Sequence, residues 1–253
     1  MRTDKRVVER TIELFIEGCV KSDTARMEKE VYPEDVKVIG DISYDKEDSV
    51  FHKFDIYMPD AHMAKGLSED KLYEKIVMDI HGGGFVYGLK EINKCCNMTI
   101  ASRTSLPVVS INYTLSPRVS IVEQLNEICL AIKFLTEEYG VKSVTLMGDS
   151  AGGYLAAATW AIISDSKVRA EFHGRTAPQV KVDGLVLICP AARDDSKFVE
   201  GIEVAFFSDD EENLVPSYGR DLGEVVKRVN APVPPSVLIT SDKDFLEKET
   251  LYL

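Results

Sequence analysis

The chain has 253 residues, a length that suits one α/β domain, and 45% of them are apolar, enough for a substantial core. A formal net charge of −12 argues against nucleic-acid binding through a basic surface. No apolar run reaches membrane-spanning length, and Met1-Arg2-Thr3-Asp4-Lys5-Arg6 lacks the apolar stretch of a signal peptide, so membrane insertion is not expected.

Val8, Ile12, Phe15 and Cys19 recur at helical spacing among charges, which predicts an amphipathic helix over 4–21. Residues 36–44 and 50–57 read as an antiparallel pair across the charged turn Asp45-Lys46-Glu47-Asp48, with His52 in the second strand. Residues 59–74 are polar and are expected to form a loop carrying His62. Lys75-Ile76-Val77-Met78-Asp79-Ile80 then reads as a buried strand, and it runs into His81-Gly82-Gly83-Gly84-Phe85. Three glycines let the backbone pass close to a substrate and turn free N–H groups inward. A helix is expected from about 91 to 103, a strand over 106–115 and a helix over 119–139 that Gly140 stops.

The apolar run Val144-Thr145-Leu146-Met147 ends in Gly148-Asp149-Ser150-Ala151-Gly152, and a small-residue helix to about Ser164 follows at once. A G-x-S-x-G match between a strand and a helix is a nucleophile elbow. Side chains two residues to either side of the serine would collide with the neighbouring segment, and Gly148 and Gly152 remove them. The Ala151 N–H falls at the start of the helix, where it can donate to an oxyanion. Beyond it, 166–181 is polar and should lie at the opposite end of the sheet, which places His173 away from the serine. Residues 182–190 form another strand; 191–231 is irregular, and its run Asp209-Asp210-Glu211-Glu212 is expected to be a solvated loop. A last strand, 236–241, precedes Asp242 and Asp244. The alternation predicts a mostly parallel sheet with helices on both faces. Five cysteines, Cys19, Cys95, Cys96, Cys129 and Cys189, contain no CxxC pair and no His lies near them in sequence. They are expected to be reduced and packed, in a cytoplasmic protein without a metal site.

HGGGF and GDSAGG together, each after a strand and in this order, resemble the hormone-sensitive-lipase branch of the α/β-hydrolases, a family of serine carboxylesterases. The resemblance implies Ser150 as nucleophile, an oxyanion hole from the N–H groups of Gly83, Gly84 and Ala151, and a triad acid at Asp244, with Asp242 as the alternative. It implies no cofactor, a small-molecule ester substrate, and cap elements from residues 1–35 and 191–231 of a single domain over 1–253. Asn112-Tyr113-Thr114-Leu115-Ser116-Pro117 resembles the family's D-Y-R-L-A-P, with Asn112 in place of the Asp. In this fold the triad histidine follows the acid. The histidines here are His52, His62, His81 and His173, all before Asp244. The chain is therefore expected to be a truncated product or fragment, weak or inactive without its base, lacking the family's last strand and helix. An exposed sheet edge at 236–241 would then favour homo-oligomers. A non-catalytic small-molecule-binding protein and an amidase of arylformamidase type stay open beside the esterase, as does a histidine supplied by another chain.

Overall fold

A computed structural model describes residues 5–46, 49–63, 74–192 and 216–253. Its elements in chain order are α1 (Lys5–Met27), β1 (Val36–Ser43), β2 (Lys53–Pro59), α2 (Asp60–Met63), β3 (Lys75–Ile80), α3 (Lys94–Thr104), β4 (Val108–Ile111), α4 (Ile121–Glu138), β5 (Ser143–Asp149), α5 (Ala151–Ser164), α6 (Ser166–Glu171), β6 (Lys181–Ile188), α7 (Leu222–Arg228), β7 (Ser236–Ile239) and α8 (Glu247–Tyr252). Seven strands form one sheet in the order β1-β2-β4-β3-β5-β6-β7. β2 pairs antiparallel with both β1 and β4; every other pairing is parallel. The expected mostly parallel sheet is present.

Strands covered on both faces need apolar residues on both faces. In β3, Ile76, Val77, Met78 and Ile80 are all buried. One face of the sheet packs into the larger core, with Leu125, Ile128, Ile132 and Leu135 of α4 and Leu155, Trp160 and Ile162 of α5. The other face carries Val77, Val108 and Met147 against Met98 and Ala101 of α3. Ser120 caps α4, its Oγ accepting from Glu123 N at 3.1 Å, and Gly140 at φ +72° follows the helix. Consecutive alanines, Ala156 to Ala158, are fully buried in α5 and let that helix sit close to the sheet.

Several local expectations change. The first helix runs to Met27, and Val50–His52 forms a 3-10 turn ahead of β2. The polar segment after α5 is not all loop: Asp165 accepts from Lys167 N and Val168 N and starts α6, while Val168 and Phe172 give it a buried side. Within 191–231, residues 222–228 are helical, with Leu222 and Val225 buried and Asp221 capping through Glu224 N. The acidic run 209–212 lies outside the described residues, as do most of the expected 59–74 loop and Glu47-Asp48 of the turn. β7 is the outer strand and all four of its residues are exposed, as expected for this edge. A helix, α8, follows it. No helix among the described residues is long and apolar enough to cross a membrane.

Candidate active site

β3 and β5 are parallel neighbours, so the glycine loop and the serine turn leave the same sheet edge side by side. Ser150 stands between β5 and α5 at φ +50°, ψ −118°. A non-glycine residue there is strained by about 1–3 kcal/mol, held by its surroundings. The holding groups are visible: Ser150 N donates to Ile188 O at 2.9 Å, and Ser150 O accepts from Ala191 N at 3.0 Å and Gly153 N at 3.0 Å. Any Cβ at Gly148 would collide with the carbonyl of Gly152, and any Cβ at Gly152 with those of Ile80 and His81. The spacing argument drawn from the sequence thus has its physical cause: the elbow is pressed against its own helix and against the end of β3.

The loop after β3 is shaped by Gly83 at φ +105°, whose carbonyl accepts from Val86 N at 3.1 Å and Tyr87 N at 3.0 Å. Among the described residues, no backbone acceptor takes the N–H of Gly83, Gly84 or Ala151. The Gly82 N–H, by contrast, is committed to Asp149 Oδ1 at 3.0 Å.

His81 belongs to the loop's support. It is fully buried and stacks on Tyr113, with ring centroids 4.4 Å apart. Its Nδ1 lies 2.8 Å from Gly82 O; a carbonyl only accepts, so Nδ1 carries the proton. Burial pushes the imidazole pKa down, which keeps the ring neutral. Tyr113 OH donates to His81 O at 2.7 Å. Ser116 N and Gln124 Nε2 both donate to Phe85 O, at 2.9 Å and 3.1 Å. Residues 112–117 therefore buttress the loop from β4's side. Asn112 serves as both acceptor and donor, from Lys90 N at 2.6 Å and to Val50 O at 2.7 Å. An ionised aspartate could not make the second bond.

Asp244 lies beyond β7 at the same sheet edge, since Asp149, Ile188 and Ile239 share one register across β5, β6 and β7. Its Oδ1 accepts from Leu246 N at 2.7 Å. It also acts on Cys189, the residue after β6, whose thiol pKa is raised by burial and then by this carboxylate. Asp242 is exposed. Among the described residues, no histidine is hydrogen-bonded to Ser150. His52 lies between Asp45 at 3.3 Å and Glu127 at 3.2 Å, and His173 is exposed at the end of α6, as the sequence suggested. The His62 side chain is outside the described residues. No group of three or more His, Cys, Asp or Glu among the described residues could hold a metal ion.

α1, within the 1–35 segment expected to contribute to a cap, reaches the loop: the Tyr87 hydroxyl bonds Asp23, and Arg26 Nη2 donates to Ile92 O at 2.8 Å. One part of the site was not foreseen, a buried acid, Asp79, which accepts from Asn97 Nδ2 at 2.7 Å, Ser110 Oγ at 3.1 Å and Asn93 Nδ2 at 3.4 Å. Burial raises its pKa to about 7, Asp149 adds to the rise, and the three donors oppose it. An acid among apolar residues within a strand was the available signal.

A family model described as the alpha/beta hydrolase fold matches residues 77–252. Arylacetamide deacetylase of Oryctolagus cuniculus is 31% identical over 129 residues, which is 47% of this chain and 32% of that protein. Acetyl esterase of Salmonella schwarzengrund is 30% identical over 101 residues, 38% of this chain and 31% of that protein. The matches thus span about a third of these relatives' length. Among solved structures, esterase B from Lactobacillus rhamnosis superposes with a TM-score of 0.83 at 22% identity, covering 99% of this chain and 79% of that one.

Proposed function

The chain belongs to the α/β-hydrolase fold family, and from that premise we propose that it is built as a serine carboxylic-ester hydrolase acting by acyl transfer through Ser150. The observation that carries this is the strained Ser150 turn beside three N–H groups, of Gly83, Gly84 and Ala151, that no backbone acceptor takes among the described residues. Ser150 Oγ attacks the ester carbonyl, and the negative charge that grows on the carbonyl oxygen is met by those donors. Fixed donors of this kind are worth about 3–4 kcal/mol each to a tetrahedral transition state. The alcohol leaves, and water then releases the acid from the acyl-serine.

Attack requires a base, because serine is a weak nucleophile alone. Asp244 is the proposed triad acid, which would orient an imidazole over Ser150; its position beyond β7, at the end of the sheet where β5 leads into Ser150, supports this role. No histidine follows Asp244 within residues 1–253. This chain by itself is therefore expected to be weak or inactive until an imidazole is supplied. α1 serves as part of the cap, a role supported by the contacts of Asp23 and Arg26 with the loop; the other expected cap segment, 191–231, lies mostly outside the described residues. Short acyl or aryl esters are the proposed substrates. The likeness to an arylacetamide deacetylase favours an amide-cleaving variant as the second reading. Five free cysteines and a net charge of −12 suit the cytoplasm, and the exposed β7 suits pairing with a second copy.

The test is hydrolysis of p-nitrophenyl acetate by the 253-residue chain, with and without a C-terminal extension carrying a relative's last strand and histidine loop. Loss of a triad member leaves roughly a thousand-fold catalysis over water from the oxyanion hole and binding, about a million-fold below a complete enzyme. The unextended chain should run near background and the extended one faster, with Ser150→Ala removing the gain. An extended, folded protein without Ser150-dependent turnover would leave the binding-protein reading. An ordinary rate in the unextended chain would mean that a base exists within it.

A further inference from the structure

Asn93 immediately precedes α3, in the N-cap position, where asparagine is among the best residues for accepting a helix N–H. Its side chain does not do this; it makes no capping hydrogen bond. The amide nitrogen is turned the other way. It donates to Asp149 Oδ1 at 2.9 Å and faces Asp79 Oδ1 at 3.4 Å. The same Asp149 oxygen accepts from Gly82 N.

We propose that Asn93 is a positioning residue for the oxyanion loop: its amide spans the carboxyl groups of Asp149 and Asp79 and so fixes the oxygen on which Gly82 hangs. The inference rests on the esterase reading of the Ser150 site. A hydrogen-bonded path runs from Ser110 in β4 and Asn97 in α3 to Asp79 in β3, then through Asn93 to Asp149 and Gly82. Four of its members, Ser110, Asn97, Asp79 and Asp149, lie in strands or a helix of the core, so the path ties a loop amide to rigid structure. Asp149 is only partly buried. Without Asn93, its carboxylate can turn about the Cβ–Cγ bond and carry Gly82 with it. Gly83 and Gly84 follow directly in the chain, so their N–H groups would move off the oxyanion position. Burying the Asp79 carboxyl, with its raised pKa, is a cost that packing alone does not require; an apolar residue would fill the strand position more cheaply.

The test is equilibrium binding of an aryl trifluoromethyl ketone, followed by fluorine NMR, on the full 253-residue chain. Ser150 adds to this ketone: the Oγ–C bond forms, the carbonyl π pair moves to oxygen, and the hydroxyl proton leaves to water. The adduct needs the oxyanion hole but not turnover. The matching methyl ketone, which stays trigonal, reports ground-state binding. Asn93→Ala should weaken the adduct about ten-fold, a loss smaller than the roughly hundred-fold that a 1 Å misplacement can cost, and should leave the methyl ketone unchanged. Asn93→Ser, which can still cap α3 but cannot span the two acids, should behave alike. Equal adduct affinity in wild type and both variants would overturn the proposal, and so would equal losses for both ketones or failure of both variants to fold. If the wild type formed no adduct that Ser150→Ala removes, the nucleophile reading would fail first and this inference with it.

Discussion

The buried carboxyl of Asp79 makes a stability prediction whose sign and size follow from its surroundings. Burial raises its pKa from 3.8 to about 7. The folded state therefore binds more protons than the unfolded state between about pH 4 and pH 7, and stability falls as pH rises through that window. At about 1.4 kcal/mol for each pH unit, the loss is about 4 kcal/mol once the pH exceeds 7. Asp79→Asn removes the titration. The new carboxamide can still accept from Asn93 through its oxygen. Its NH2 needs an acceptor, and Asn97 Oδ1, which has no partner among the described residues, becomes available when the Asn97 amide rotates by half a turn. Ser110 Oγ, which has one proton to give, can donate it to Lys90 O at 2.9 Å instead of to residue 79. Urea unfolding of wild type and variant at pH 5 and pH 8.5 is the assay. Other titrations, including that of His81, are common to both proteins and cancel in the difference. The variant should gain on the wild type by a few kcal/mol on going from pH 5 to pH 8.5, on the order of 3 kcal/mol from the window above. Parallel curves over that range would refute the reasoning, because they would mean that Asp79 titrates alike folded and unfolded.

Two further outcomes are expected. Ser150→Gly should raise stability by about 1 kcal/mol in thermal or urea melts, because glycine accepts φ +50° without the strain that serine bears there, and it should abolish labelling by a fluorophosphonate probe. On β7, Pro235 O and Ile239 O face β6, accepting from Leu185 N and Cys189 N, so the N–H and C=O of Leu238 face outward. Leu238→Pro removes an outward donor without touching the β6 pairing, and should lower self-association in light scattering across a concentration series; clean monomeric wild type would count against pairing on this edge.

How much was legible beforehand depended on how far apart the interacting residues lie in the chain. The elbow is local: strand, G-x-S-x-G and small-residue helix are contiguous, and the collisions that demand Gly148 involve atoms within five residues. The glycine loop and the sheet were legible for the same reason, since a run such as Ile76-Val77-Met78 can be stable only between two covered faces. The short helices α6 and α7 were not, because their apolar positions are few; α6 gains its buried side by folding back on α5, and α7 packs on α5 from far along the chain. Asp79 is an acid among the apolar residues of its strand, and its burial was not foreseen. Nothing local said that Ser110, Asn97 and Asn93 would converge on it, or that Asn93 would abandon its own helix to bridge two acids. Those partners are 14 to 31 residues from Asp79 along the chain, and only the parallel packing of β3 between β4 and β5, with α3 laid across it, brings them within hydrogen-bond reach. Hydrophobic period and glycine content are properties of a segment, so the strands, the elbow and the glycine loop could be read from the residues in order. The polar support of the loop depends on distances across the sheet, which exist only once β3, β4, β5 and α3 have packed together.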